Sequence, residues 1–471
     1  MGAKSVKKFK KIIIFEEINF FWLVFVFYHI LKKQSIYYFK INHTLEICPF
    51  IKKLINTGAI TKFEVKNIGF NNLYALNAIV LQDIEKIFRE DLEKNTTILL
   101  FEKLVDNKSV CNSYKKELAS TLLYLYRMNL HLNVLKNEMK ITKDDMYFYP
   151  GKTVIELGTL PYVKEYIKNE FWAKFPISGR VIHAFFHGFI KIKWILIYCA
   201  FPFWVFFSIG IPSLKKTVKM KYNLGIRVGS YDWAHGNKYR SFDFLIDGKS
   251  IHSENTIFCS EEVISDDYKK RILGKKYYLV EIKKILKNIN IDYILAVFFR
   301  KFFPVYLKCL VQAFFDDICI LIVTAKLFRT YLLWSAFDLK YELNHYVAYS
   351  EYIPEDILRN ILLEKNNTRT WQYEHSMSAI NCYEPLGSNF INVTEAFFNY
   401  DSYVVWGRWM ESYKKRYPNN IRNFENLGCL WSEHVRIILE EKHDIEILKI
   451  AKEKFFDKGG FIPEKIIGVF D

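Results

Sequence analysis

Residues 345–378 constrain the fold most, because their pattern predicts a strand, a helix and a second strand in succession. A short apolar run, Tyr346 to Tyr349, leads to the polar residue Glu351. Pro354 follows at a position suited to the first turn of a helix, where a missing N–H costs nothing, and the next apolar residues repeat at helical spacing. Thr368 to Tyr373 then predicts a strand. This order is typical of a βαβ unit in a parallel sheet.

Polar side chains follow both predicted strands. Glu351 comes after the first strand, and Glu374, His375, Ser376 and Ser378 come after the second. Because ligands of doubly wound sheets bind at the carboxyl ends of the strands, these residues form a candidate site. A glutamate beside a histidine could supply a general base or bind sugar hydroxyls, and serine hydroxyls could donate hydrogen bonds to phosphate. The alternative is that the same residues only cap a strand and start a loop.

Arg408 stands at a comparable position later in the chain. It follows Gly407, directly after the predicted strand Tyr403 to Trp406. A guanidinium at such a strand end could bind a phosphate group, although a surface ion pair explains the residue equally well. No metal site is expected, because the eight cysteines show no C-x-x-C spacing.

The rest of the chain predicts an α/β fold with Rossmann-like parallel-sheet lobes. Residues 12–66 alternate strand, helix, strand, helix and strand, which implies a parallel sheet with right-handed crossovers. No G-x-G-x-x-G or G-x-x-x-x-G-K-[ST] loop occurs between these elements, so neither a dinucleotide site nor a P-loop is expected there. Turn pairs within residues 225–265 predict hairpins, and the apolar run Ile318 to Thr324 predicts a buried strand.

The apolar stretch Trp194 to Leu214 contains 21 residues without a formal charge, which is about the length of a bilayer crossing. Pro202 near its middle predicts a kinked or broken helix, and lysines on both sides favour one cytoplasmic face for both ends. We therefore expect a monotopic or re-entrant segment on the cytoplasmic face of the cell membrane. A buried core helix or a partner-binding face is the alternative. The side chains expected in the membrane are Trp194, Phe201, Phe203, Trp204, Phe206 and Phe207.

The formal charge of +16 indicates an anionic partner. Anionic lipid and a phosphate-bearing substrate both fit this charge. Nucleic acid is not expected, because the sequence contains no RNA-binding motif, basic arm or zinc-finger spacing.

A length of 471 residues exceeds one ordinary hydrophobic core, so several domains are expected. We predict an N-terminal α/β region (1–180), an apolar membrane-associated insertion (181–222), a turn- and hairpin-rich segment (223–290), an α/β region with the candidate site (291–460) and the first strand of a C-terminal lobe that the sequence does not include (461–471).

Three stretches carry a resemblance to a known group of proteins. The sequence TWQYEHS (370–376), the sequence VWG (405–407) and the final strand (465–471) resemble bacterial surface-carbohydrate biosynthesis proteins. These are similar to two-lobed GT-B transferases, alongside the CDP-glycerol glycerophosphotransferases and UDP-sugar 2-epimerases. In that class the first lobe commonly places a histidine-bearing strand end at the cleft, and the second lobe holds most nucleotide contacts.

The resemblance implies a membrane-associated glycosyltransferase or glycerophosphotransferase, with this chain as the acceptor-side lobe. His375 and Glu374 would then be catalytic, and Ser376, Ser378, Glu351 and Arg408 would bind substrate. The expected donor is a nucleotide sugar or a CDP-linked group, used as a substrate with no tightly bound cofactor. The expected acceptor is a surface polymer or a lipid-linked molecule. A nucleotide-sugar epimerase and a non-catalytic membrane-anchored scaffold of a polysaccharide assembly complex are the alternatives.

Overall fold

A computed structural model of the chain describes residues 11–63, 70–209, 218–228, 251–287, 289–349, 353–373 and 393–427. The chain forms two compact units, each assembled from segments that lie far apart in the sequence. The first unit contains residues 1–204, 302–328 and 389–394. The second contains residues 205–301, 329–388 and 395–471. Each unit holds a parallel sheet, which confirms the predicted α/β class.

The first sheet has four parallel strands in the order β3-β2-β1-β4. They are β1 (Ile12–Ile18), β2 (Ser35–Ile41), β3 (Thr61–Lys62) and β4 (Met146–Tyr149). The chain builds outward from β1 to β3 and then returns to the other side of β1. Strands β1 and β4 therefore flank a topological switch point. The first four residues of β1 are apolar and buried, as expected for a parallel strand whose two faces are both covered.

Nine helices of the described chain precede the second sheet. They are α1 (Leu23–Leu31), α2 (His43–Glu46), α3 (Pro49–Asn56), α4 (Phe70–Ile87), α5 (Thr96–Val105), α6 (Cys111–Met139), α7 (Lys152–Leu157), α8 (Pro161–Asn169) and α9 (Ile177–Ile209). The alternation predicted from residue 12 onward is confirmed as far as β3. Gly58, just past α3, has φ of +69°, a conformation that favours glycine at a helix end.

The second sheet has seven parallel strands in the order β11-β10-β9-β8-β5-β6-β7. They are β5 (Met220–Val228), β6 (Thr256–Ser260), β7 (Tyr278–Glu281), β8 (Tyr341–Tyr349), β9 (Arg369–Tyr373), β10 (Asn399–Val405) and β11 (Asn420–Asn426). The order repeats that of the first sheet and extends it, so β5 and β8 flank its switch point. At Gly225 the two strands pack closely, since a Cβ there would lie 2.6 Å from Leu343 Cδ1 and would displace that side chain.

Six further helices are described after β6. They are α10 (Asp266–Gly274), α11 (Ile291–Tyr293), α12 (Phe303–Gln312), α13 (Ile318–Lys340), α14 (Pro354–Lys365) and α15 (Arg408–Lys414). The helix predicted at Pro354 is confirmed, as are the strands on either side of it. A π-helical segment, Ile294–Phe302, connects α11 to α12.

One prediction about secondary structure is wrong, and a second falls mainly on residues outside the described ranges. Ile318 to Thr324 was expected to be a strand but forms the first two turns of α13, because a short apolar run does not distinguish a buried strand from a buried helix. The hairpin expected within residues 225–265 does not join β5 and β6, which pair in parallel. A parallel pair needs a long crossover connection. Residues 229–250 of that connection lie outside the described residues.

Helix α9 continues through Pro202 rather than breaking there. Proline has no N–H, so the carbonyl oxygen of Tyr198 loses its partner within the helix. The Tyr306 hydroxyl of α12 donates a 2.5 Å hydrogen bond to that oxygen. A side chain from another helix thus satisfies the backbone group that proline leaves free. Gly210 and Pro212, near the end of the apolar stretch Trp194 to Leu214, lie outside the described residues.

Candidate functional site

The carboxyl ends of β8, β9 and β10 lie side by side in the second sheet. Tyr349 pairs with Tyr373, and Tyr373 pairs with Val404 on its other side. The segments that carry the predicted site residues therefore leave the sheet from three adjacent strands at one edge, next to the switch point. Of those residues, the structure describes Arg408, which is exposed and begins α15. Glu351, Glu374, His375, Ser376 and Ser378 lie outside the described residues.

Gln372 is a polar side chain that the sequence analysis did not single out. It stands one residue before the end of β9, between Ala348 of β8 and Tyr403 of β10. Its side chain is fully buried, and neither Oε1 nor Nε2 has a hydrogen-bond partner within the described part of the chain. A buried amide without a partner costs free energy. Within the described residues, Gln372 thus offers a buried donor and acceptor without partners near the carboxyl end of β9.

A buried ionic cluster supports the same edge from α14. The Arg359 side chain is completely buried, and its Nη1 donates to Asp356 Oδ1 and to Glu261 Oε1, both at 3.2 Å. Its Nε and Nη2 donate to Asn360 Oδ1 at 3.0 and 2.8 Å. Glu261 follows the last residue of β6, so the cluster ties the helix after β8 to the end of β6. Strand β5 lies between β6 and β8. The cluster therefore connects the segments on both sides of the switch point between β5 and β8.

The corresponding switch point of the first sheet has a different chemistry. The Glu16 carboxylate, near the end of β1, accepts hydrogen bonds from the backbone N–H groups of Gly151 and Thr153 at 2.7 Å and of Val154 at 3.3 Å. These groups form the N-terminus of α7, the place where such a fold binds phosphate. A Cβ on Gly151 would lie 3.0 Å from Glu16 Cδ. Burial raises the pKa of Glu16, although the backbone hydrogen bonds oppose the shift. The protein's own carboxylate thus occupies this anion position.

Two helices are long and apolar enough to span a membrane, by length and composition alone. In α9, the apolar window within residues 184–209 has a mean hydropathy of 1.8, and 17% of the window is buried. In α13 the mean hydropathy is 1.5, and 72% of the window is buried. Helix α13 therefore resembles a core helix, and α9 presents an apolar surface. Helix α9 is therefore the stronger candidate for membrane association of the two.

The six residues predicted to enter the membrane divide into two groups. Phe203, Phe206 and Phe207 are 66%, 55% and 87% exposed. The side chains of Trp194, Phe201 and Trp204 are half-buried within the fold. The Phe201 ring, for example, lies 6.0 Å from that of Tyr306. Only the first group is available to a membrane surface.

No group of three or more His, Cys, Asp or Glu side chains in the described ranges is arranged to hold a metal ion. Described polar residues at the edge of the second sheet are an arginine, carboxylates and amides. Arg408 is exposed, and an arginine can bind phosphate groups in a bidentate manner.

Residues 297–471 match the family model described as "Polysaccharide biosynthesis PFTS motif protein". The matched region begins in the π-helical segment and includes β8 to β11, together with every residue predicted for the active site. No curated protein and no solved structure shows a significant match to the chain. The family match supports a role in polysaccharide biosynthesis.

Proposed function

We propose that the protein is a GT-B-like glycosyltransferase or glycerophosphotransferase of surface polysaccharide biosynthesis. One observation carries this proposal. Within the region that matches the polysaccharide biosynthesis family, three adjacent parallel strands end at one edge, and the residues Glu351, Glu374 to Ser378 and Arg408 follow them. Parallel sheets bind their ligands at this edge.

The residue types at this edge fit transfer from an activated donor. His375 would remove the proton from the acceptor hydroxyl, since its unperturbed pKa lies near neutrality. Glu374 would orient the imidazole or bind hydroxyl groups. Ser376, Ser378 and Arg408 would bind the phosphate groups of a nucleotide-sugar or CDP-linked donor. The buried Gln372 amide would meet this segment or the ligand.

The proposed acceptor is a surface polymer or a lipid-linked molecule at the cytoplasmic face of the membrane. The exposed phenylalanines of α9 support this part of the proposal, because aromatic side chains on a helix surface insert into the headgroup region. Lys191 and Lys193 on the same helix are cations that anionic lipids attract.

Transfer of radiolabel into the membrane fraction tests the catalytic part. The donors tried would be UDP-glucose, UDP-N-acetylglucosamine and CDP-glycerol, each labelled in the transferred group. We expect His375→Ala to lower the transfer rate by about a hundredfold or more. His43→Ala, a change at an exposed histidine of α2, is the matched control and should leave the rate unchanged. Epimerised donor without transfer, or equal rates for both variants, would contradict the proposal.

Cofractionation with membranes tests the location. We expect the double variant Phe203→Glu/Phe207→Glu to move from the membrane fraction to the soluble fraction, because charged side chains oppose insertion. The control is Val263→Glu/Leu273→Glu, which changes two exposed apolar residues elsewhere. Unchanged fractionation of the α9 variant would contradict membrane binding by this face of the helix.

A further inference from the structure

A groove on the first unit is lined by four lysines. It lies between α7, α8 and the segment beside β4, and its volume is about 590 Å³. Sites for small ligands commonly have volumes in this range. The lysines are Lys143, Lys164, Lys168 and Lys174. The groove therefore concentrates positive charge in a space large enough for a small molecule.

Only part of this charge is neutralised by the protein. Lys174 pairs with the carboxylate of Asp144, and its backbone is held by β4 through hydrogen bonds with Met146 and Phe148. Within the described ranges, Lys143, Lys164 and Lys168 form no ion pair. Partial burial, together with the charge of Lys174, lowers the pKa of Lys143. Lys143 and Lys174 thus repel one another, although the carboxylate of Asp144 lies close to both.

Helix α8 carries two of these lysines one turn apart. Lys164 and Lys168 are exposed and share one helix face. Like charges at this spacing destabilise a helix. Lys168 lies in the last turn, where the helix dipole favours a cation, but Lys164 lies in the first half of the helix, where the dipole gives no such benefit. A bound anion would remove the repulsion between them.

The remaining lining of the groove is apolar. It consists of Val154, Gly158, Ile167, Ala173 and Phe175. A groove with an apolar lining and ammonium groups suits a compact anion attached to a less polar body. Each ammonium group offers three hydrogen-bond donors and no acceptor, so phosphate oxygens are matching partners.

We propose that this groove binds the phosphate or diphosphate group of a small anionic ligand. The group could belong to a soluble metabolite or to a lipid headgroup. The groove is lined by residues of the first unit, whereas the donor site is proposed on the sheet of the second unit.

Isothermal titration calorimetry with sodium pyrophosphate tests the site on the full chain. We expect saturable binding that weakens as salt rises. Lys164→Gln/Lys168→Gln should weaken it by about tenfold or more, since each lysine donates a charge-assisted hydrogen bond. The control is Lys103→Gln/Lys108→Gln, with the same change of charge on and just after α5. A circular dichroism spectrum and an unfolding curve for each variant would show that it folds. Absence of saturable binding, or equal weakening in both double variants, would overturn the proposal.

Vesicle cosedimentation distinguishes the two sources of phosphate. Phosphatidylcholine vesicles with and without phosphatidic acid would be compared for the groove variant and its control. A phosphatidic acid-dependent gain that is lost in the groove variant assigns a lipid headgroup to the groove. The same gain in both variants, together with groove-dependent pyrophosphate binding, assigns a soluble ligand. His375→Ala should retain pyrophosphate binding in the groove, so that a failure of the transferase proposal remains distinguishable.

Discussion

The two sheets of this protein share one strand order but differ at their switch points. In the first, between β1 and β4, Glu16 accepts three backbone hydrogen bonds at the N-terminus of α7. In the second, between β5 and β8, a buried cluster around Arg359 supports the strand ends. The first sheet thus fills its own anion position, whereas the predicted site residues follow strands of the second sheet in the sequence. A shared topology places a possible site, whereas the side chains decide whether a ligand can enter it.

Substitution of Glu16 tests the difference between the two switch points most directly. Glu16→Ala leaves three backbone N–H groups at the start of α7 without an acceptor, and we expect the free energy of unfolding to fall by about 4 kcal/mol. Urea denaturation measures this loss. Glu17→Ala, a change at the neighbouring carboxylate, should lower the free energy of unfolding much less.

Inorganic phosphate should partly restore the Glu16→Ala variant, because the vacated helix N-terminus can then bind an anion. The melting temperature of the variant should therefore rise with phosphate by more than that of the wild type. A loss below about 1 kcal/mol, or an identical response to phosphate, would show that the carboxylate does not occupy an anion position.

The stability of the protein should depend on pH through Glu156, which lies on α7, the helix that Glu16 caps. Burial, together with the nearby carboxylates of Glu117 and Glu16, raises the pKa of Glu156 to about 7, although Lys152 opposes the shift. Because this pKa lies above its usual value, the folded state holds the proton more tightly than the unfolded state. The contribution of Glu156 to stability is full below about pH 4.5 and is lost as pH rises to about 7.

We expect Glu156→Gln to remove about 2–3 kcal/mol from the decrease in stability between about pH 5 and pH 8. Urea denaturation at several pH values measures the change, and the exposed residue Glu165 on α8 supplies the control Glu165→Gln. Parallel stability curves for wild type and Glu156→Gln would refute the raised pKa. The second sheet should show no comparable dependence on this residue.

The smallest effect on stability is expected at the edge of the second sheet. If the Gln372 amide is reserved for a ligand, Gln372→Leu removes an unpaired buried group and should stabilise the ligand-free protein by about 1 kcal/mol. Transfer activity should nevertheless fall. Thermal unfolding and the radiolabel assay measure the two results on one preparation. A loss of stability would show instead that the amide is bonded to the protein itself.

The sequence predicted what depends on local pattern. The strands and helix around Pro354 and the parallel pairing follow from the spacing of apolar residues. It did not predict contacts between distant parts of the chain. Helix α9 survives Pro202 because Tyr306, 108 residues from the carbonyl that it bonds, replaces the missing donor. Glu16 meets Gly151 across 135 residues.

The roles of buried polar residues were missed for the same reason. Arg359 belongs to a helix whose pattern looked amphipathic, and its partner Glu261 lies 98 residues earlier. An arginine within an otherwise apolar helix face is the local sign that such a partner exists. Gln372, between the large aromatic residues Trp371 and Tyr373 of the strand predicted over residues 368–373, carries a similar sign.

The proposed function places the phosphate groups of the donor at the edge of the second sheet and not at the switch point of the first. Amide hydrogen exchange of the full chain, with and without UDP or CDP, tests it most directly. We expect the nucleotide to slow amide exchange in peptides that cover residues 341–378 and to leave exchange in residues 146–157 unchanged. Protection of residues 146–157 with none in residues 341–378 would contradict it.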